Sequence, residues 1–428
     1  MSLPVGPPRG AGAPGPPAPG RPVPPRRPHR RSTQIRRNAL VLAWLVGAAV
    51  LTALIIGGPL AGLGTWLPLH ALLLGGIGSA ITIWSAHFAD TLLHRPALGG
   101  AALLDARLYA HTLGTLTVLV GITAGHQILA MTGVAIILGQ ALTGVVAIAV
   151  QYRRAVAARM GALVLHYATA LVLLAVGAAL GYLISWADDA GRAHLAEVLY
   201  LAHTTTMLLG FVGITVLGTL TVLWPTMLRT RMEPFAPRWA VRTLPLLVAG
   251  TALTAVSGLW QPLAGLGAVL YVVGAGGVLV PGLLTARRVK PTSFATASAA
   301  AAVLWLLGCL GYLGAGIALA DGAAAGRGII HAIRLALAAG FALQILVAAL
   351  SYLTPVMLGG GPAATRATNA IMDRFAAYRV TAANGCLLLA VSPALPWQVR
   401  LVGGAVAAAV TSYLLVGIVE CLRALRRG

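Results

Sequence analysis

Charge is scarce in this chain, and acid scarcer still. Of 428 residues only 9% are Asp, Glu, Lys or Arg and nine are acidic, against 58% hydrophobic residues and a mean hydropathy of +0.88. That balance excludes the soluble globular classes and indicates a polytopic all-α membrane protein. Nine carboxylates, most of them between apolar runs, leave no acidic channel of the kind a proton pump needs. Cysteine is nearly absent: Cys309, Cys386 and Cys421 fall in or at the end of apolar runs with no CxxC or CxxCH spacing. A disulfide framework and a covalently attached haem are thereby excluded, and the three thiols read as small packing residues. The net charge of +21 does not mark a nucleic-acid partner, because the arginines lie between apolar runs instead of forming one basic face.

What the chain has in abundance is apolar sequence of spanning length. Residues 1–37 are rich in Pro, Gly and Arg and are expected to form a disordered cytoplasmic tail. Residues 38–428 form one membrane domain of about twelve spans, at residues 39–59, 66–93, 108–131, 133–151, 161–186, 197–228, 243–262, 264–286, 295–320, 328–357, 379–394 and 397–421. The tail and the segments after even-numbered spans hold 26 of the 30 basic residues, which puts both termini in the cytoplasm. Trp66, Trp186, Trp260 and Trp397 then fall at outer span ends, as an interfacial aromatic belt does. Gly177 and Gly181 stand at GxxxG spacing, a pattern that allows close helix contact.

Histidines within the spans carry the functional signal, since ionisable groups at membrane depth are rare. With the orientation above, His70, His126, His203 and His331 come from four different spans yet share an outer slab roughly 5 to 9 Å below the surface. His87, His111 and His166 lie toward the cytoplasmic side, whereas His94 and His194 fall in loops. Imidazoles at one level on separate helices suit a b-type haem, whose iron takes two axial histidines and whose macrocycle fits between Gly- and Ala-rich helices. Copper is the alternative, because it also accepts several imidazoles. Asp90 and Glu420, at cytoplasmic span ends, read as solvated interfacial carboxylates.

The stretches LPLHALLLGGIGSAITIWSAHFADTLL (67–93), LAHTTTMLLGFVGITVLGTLTVLWPTMLRTRM (201–232) and FALQILVAALSYLTPVMLGGGP (341–362) resemble the membrane module that some bacteria carry fused to copper oxidase or copper nitrite reductase domains. That module is similar to the NnrS family and, more distantly, to subunit I of the haem-copper oxidases. The resemblance covers nearly all of residues 38–428 and implies a bacterial plasma-membrane protein. It also implies a low-spin haem on His70 and His331, copper on His203, and a function in electron transfer with an external cupredoxin-type copper protein or in binding nitric oxide. The pattern departs from the family at residues 243–262, which contain no histidine where the oxidases place copper ligands, and at Met207, where some oxidases have a tyrosine. Dioxygen reduction is therefore not expected.

Arg334, the one basic residue expected inside a span, lies one turn below His331 and reads as a partner for a haem propionate or for an internal group such as Asp321. A second haem held by His87, His111 and His166 would make an electron wire across the bilayer. Two further readings stand beside these. A twelve-span secondary transporter should show repeated halves, but residues 38–230 and 231–428 show no such similarity and nine of the ten histidines precede residue 204. A degenerate module that scaffolds a separate copper enzyme would account for the missing ligands.

Overall fold

The computed structural model describes residues 28–155 and 160–427, and among them there is no strand. The chain is an all-α polytopic membrane protein, and among the described residues ten helical segments, the two helices within Trp397–Arg426 counting as one, are long and apolar enough to cross a bilayer. In chain order the helices are α1 (Pro28–Ile56), α2 (Trp66–Leu92), α3 (Gly100–Thr123), α4 (Gln127–Arg154), α5 (Val164–Asp189), α6 (Ala193–Met227), α7 (Ala236–Ala255), α8 (Pro262–Arg288), α9 (Phe294–Ala318) and α10 (Ala323–Leu358). They are followed by the short α11 (Gly361–Met372), α12 (Ala376–Val391), α13 (Trp397–Thr411) and α14 (Tyr413–Arg427). Outward-facing Leu113, Val120, Val269 and Leu283 are exposed, which suits a surface bathed in lipid.

Two expectations are corrected. Part of the proposed tail, residues 1–27, lies outside the described residues, but residues 28–37 are helical and belong to α1. At the end of this stretch Arg36 and Arg37 both pair with Asp105 near the start of α3, and the buried Arg37 also donates to the Ala101 carbonyl. The third span runs from residue 100 to 123 and not from 108 to 131. Gly125, at φ +65°, turns the chain inside what reads as one apolar run, and α4 starts two residues later.

Three helices are built differently from the rest. Each of α2, α6 and α10 is interrupted by a π-helical segment, at Ala71–Ile77, Thr206–Gly213 and Ala336–Leu343. Each segment carries a glycine against which the preceding helix sets a large side chain. A Cβ at Gly75 would lie 2.4 Å from the Trp44 ring of α1, at Gly210 2.8 Å from Leu173 of α5, and at Gly340 2.6 Å from the Trp305 ring of α9. A helix pair with a glycine seam follows each interrupted helix, directly after α2 and α6 and beyond the short α11 after α10. Gly121 meets the backbone of Ala130 between α3 and α4, Gly250 that of Tyr271 between α7 and α8, and Gly403 that of Cys386 between α12 and α13. Such contacts let backbones approach where lipid supplies no hydrophobic drive for helix association.

The membrane domain is thus a threefold repetition of one four-helix arrangement, with α11 inserted in the last third and α14 following it. The second and third copies keep a sequence trace of it, WPTML at residues 224–228 and TPVML at residues 354–358, 130 positions apart. The same offset superposes the π segments of α6 and α10. The interrupted helices α2 and α10 touch at their π segments, and α2, α6 and α10 together surround the middle of the domain.

Candidate functional site

The site forms where α2 and α6 enter their π segments. His70 is the last residue of α2 before the segment begins, and His203 precedes the corresponding segment of α6 by one turn. Their ring centroids are 6.2 Å apart and the ring planes are within 17° of parallel. Each ring is held from behind. His70 Nδ1 donates to the Trp66 carbonyl at 2.9 Å while its face stacks on the Trp66 indole, and His203 Nδ1 donates to the Gly177 carbonyl at 2.8 Å. Placing the proton on Nδ1 leaves the Nε2 lone pair of both rings available, the tautomer that metal-bound histidines adopt.

The GxxxG pair on α5 makes room for this. A Cβ at Gly181 would meet the His203 ring at 2.9 Å, and one at Gly177 would meet the Met207 sulfur at 2.4 Å. Met207 follows His203 by four residues, so its thioether lies on the same side of α6, one turn further along.

Beside this pair, α6 carries a second cluster that includes the remaining predicted ligand of the haem. His331 of α10 stacks on Tyr200 at 5.6 Å, three residues from His203, and Arg334 Nη1 donates to its Nδ1 at 3.3 Å. Arg327 lies over that tyrosine, 4.5 Å from the ring centroid, and pairs with Glu197 at 3.2 Å. The structure therefore brings His70 to His203, and sets His331 and Arg334 together in an exposed cluster next to them.

His126 is exposed on the turn between α3 and α4, where its Nδ1 accepts a hydrogen bond from the Leu129 amide at 3.4 Å and caps α4. The three inner histidines have separate surroundings. His87 is exposed edge-on to Trp84, and His166 is buried against Gly218. Both nitrogens of His111 are in use, Nε2 donating to the Leu74 carbonyl at 2.9 Å and Nδ1 meeting Gln140 Nε2 at 3.1 Å. Leu74 belongs to the π segment, whose irregular ladder frees carbonyls for such bonds.

Sequence reasoning missed Arg107, which it placed in a loop. The structure buries it inside α3, its Nε donating to the Gln140 carbonyl at 3.1 Å. A Cβ at Gly144 would lie 2.1 Å from its guanidinium, so a glycine on the facing helix is the signal that could have placed it. The cation buried here is therefore Arg107, whereas Arg334 is exposed.

Two imidazoles on opposite sides of one metal ion, each bonded at about 2.0–2.1 Å, have ring centroids about 6.3 Å apart, whereas a tetrahedral ion brings them to about 5 Å. The His70–His203 centroid separation of 6.2 Å, with both Nδ1 atoms anchored to carbonyls, matches the opposed arrangement in distance. Among the described residues no three His, Cys, Asp or Glu side chains gather as a metal site, so any third protein donor here is of another kind, and Met207 is the nearest by sequence. The chain matches no protein-family profile, and no curated protein matches it.

Proposed function

We propose that the chain is a haem-binding integral membrane protein of the haem-copper oxidase-like type, whose iron is held by His70 and His203 and which passes electrons to or from a copper protein outside the membrane. The observation that carries the reading is the near-parallel pair of imidazoles at metal-bridging separation, each with Nδ1 fixed and Nε2 free. A b-type haem, when bound, supplies reversible one-electron chemistry. The protein contributes orientation: the carbonyls of Trp66 and Gly177 fix the two tautomers, and the Trp66 indole restrains the His70 ring. Arg334 and His331, exposed beside the pair, offer positive charge and donors to haem propionates.

The domain crosses a bacterial plasma membrane twelve times with both termini in the cytoplasm. In this topology α3 and α12 cross as well as the ten most apolar helices, and the histidine pair faces the outside. With no histidine in α7, dioxygen reduction is not part of the proposal. Copper bound directly by His70, His203 and Met207 is a second reading, favoured by the thioether one turn from His203, since soft donors select Cu(I).

Pyridine haemochrome analysis with metal quantification on protein purified from haem-sufficient cells tests both readings. One b-type haem per chain, lost in His70→Ala and in His203→Ala, is the expected result. Copper without haem would replace the first reading by the second, and neither cofactor would refute both.

A further inference from the structure

Two of the three π segments give a backbone carbonyl to a buried side chain of a neighbouring helix. His111 Nε2 of α3 donates to the Leu74 carbonyl at 2.9 Å, and the Tyr271 hydroxyl of α8 donates to the Leu209 carbonyl at 2.8 Å. Both donors are fully buried. Leu74 and Leu209 are each the fourth residue of their segment, and four residues after each comes a glycine, Gly78 or Gly213. A Cβ at Gly78 would lie 2.6 Å from His111 Nε2, and one at Gly213 would lie 2.2 Å from the Tyr271 hydroxyl. Each glycine therefore makes room for its donor. The third segment has Leu343 at the place of Gly213, 130 residues on, and it follows Ile333 where α6 has His203.

We infer that His111 and Tyr271 are positioning residues for the histidine pair: each pins a π segment to the helix beside it and so fixes the angle at which the N-terminal part of α2 or α6 presents its imidazole. The inference deepens the haem reading and rests on it for its effect on the cofactor. The segments so pinned are the two that adjoin His70 and His203. A π segment bonds i to i+5, so relaxing it to the regular i to i+4 pattern moves the register by one residue and turns one end of the helix against the other by roughly 100°. A turn of that size carries an imidazole off the axis it shares with its partner. A hydrogen bond from outside the helix to a carbonyl of the segment is lost in such a slip and therefore opposes it, the more so in a buried setting where the freed carbonyl finds no water. His111 is itself braced, because its Nδ1 meets Gln140 Nε2 at 3.1 Å and the Gln140 carbonyl accepts from Arg107 Nε at 3.1 Å.

Hydrogen exchange read by mass spectrometry on the full chain, with electron paramagnetic resonance and redox titration of the haem-loaded protein, tests this. Tyr271→Phe, which removes only a hydroxyl, should speed exchange several-fold in Thr206–Gly213 and leave Ala336–Leu343 at the wild-type rate. His111→Leu should do the same in Ala71–Ile77, and His111→Gln, which keeps a donor, should restore the slow rate. With haem bound, Tyr271→Phe should retain the cofactor but change its g-values and shift its reduction potential. Unaltered exchange in both variants would overturn the pinning, and faster exchange with unchanged g-values and potential would overturn the positioning role. A wild-type chain without haem would refute the haem reading and the positioning role with it, the exchange rates alone then deciding the pinning.

Discussion

Helices α6 and α10 are the same element 130 residues apart, yet one presents its histidine to a neighbouring imidazole and the other to the open surface. The equivalent of His203 in α10 is the buried Ile333. His331 lies two residues earlier, about 200° around the helix, which turns it toward Tyr200 and Arg334 and away from the position His203 occupies. The repeat therefore preserves backbone, including the π segment, its glycine and the bulky side chain set on that glycine. The paired imidazoles come from α2 and α6 alone, and depth along a helix is insufficient to decide which histidines meet.

The largest expected effect separates the two helices directly: His203→Ala should remove bound cofactor entirely by absorption and metal analysis, whereas His331→Ala should retain it. Next comes the α5 seat. Gly181→Leu drives a side chain into the His203 ring and should cost about 1–3 kcal/mol in stability, with at least a tenfold loss of cofactor affinity. Gly139→Leu, with nothing within 4 Å of its Cβ position, should stay within about 0.5 kcal/mol of wild type in the same thermal melts. Arg334→Ala removes only the bond to His331 and should shift a reduction potential without loss of cofactor, as read by redox titration.

The smallest effect lies outside the membrane, at Asp373. Burial raises its carboxyl above the ordinary value, opposed by the Phe294 amide it accepts from. A raised folded-state value means that wild-type stability increases as pH falls through it and that this increment is lost again as pH rises. Asp373→Asn should flatten that part of the stability profile in thermal melts measured across the acidic range.

Much of the architecture was legible in the residues, because apolar runs of spanning length, basic loops and terminal tryptophans all follow from the cost of placing polar groups in lipid. The end of α3 was not, since the Gly125 turn interrupts no apolar stretch. The threefold repeat escaped a comparison of halves, although WPTML and TPVML mark it. The π segments leave no periodicity that a 3.6-residue reading detects, and they reset the faces on which His70 and His203 project. Gly177 and Gly181 were visible as a packing motif, but that they seat Met207 and His203 appears only once α5 lies against α6.

Electron paramagnetic resonance of the oxidised purified protein tests the central claim most directly. The account predicts a low-spin ferric signal of two axial imidazoles that is unchanged in ligand type in His331→Ala and absent in His203→Ala. A bis-imidazole signal that survives His203→Ala and disappears with His331→Ala would contradict it.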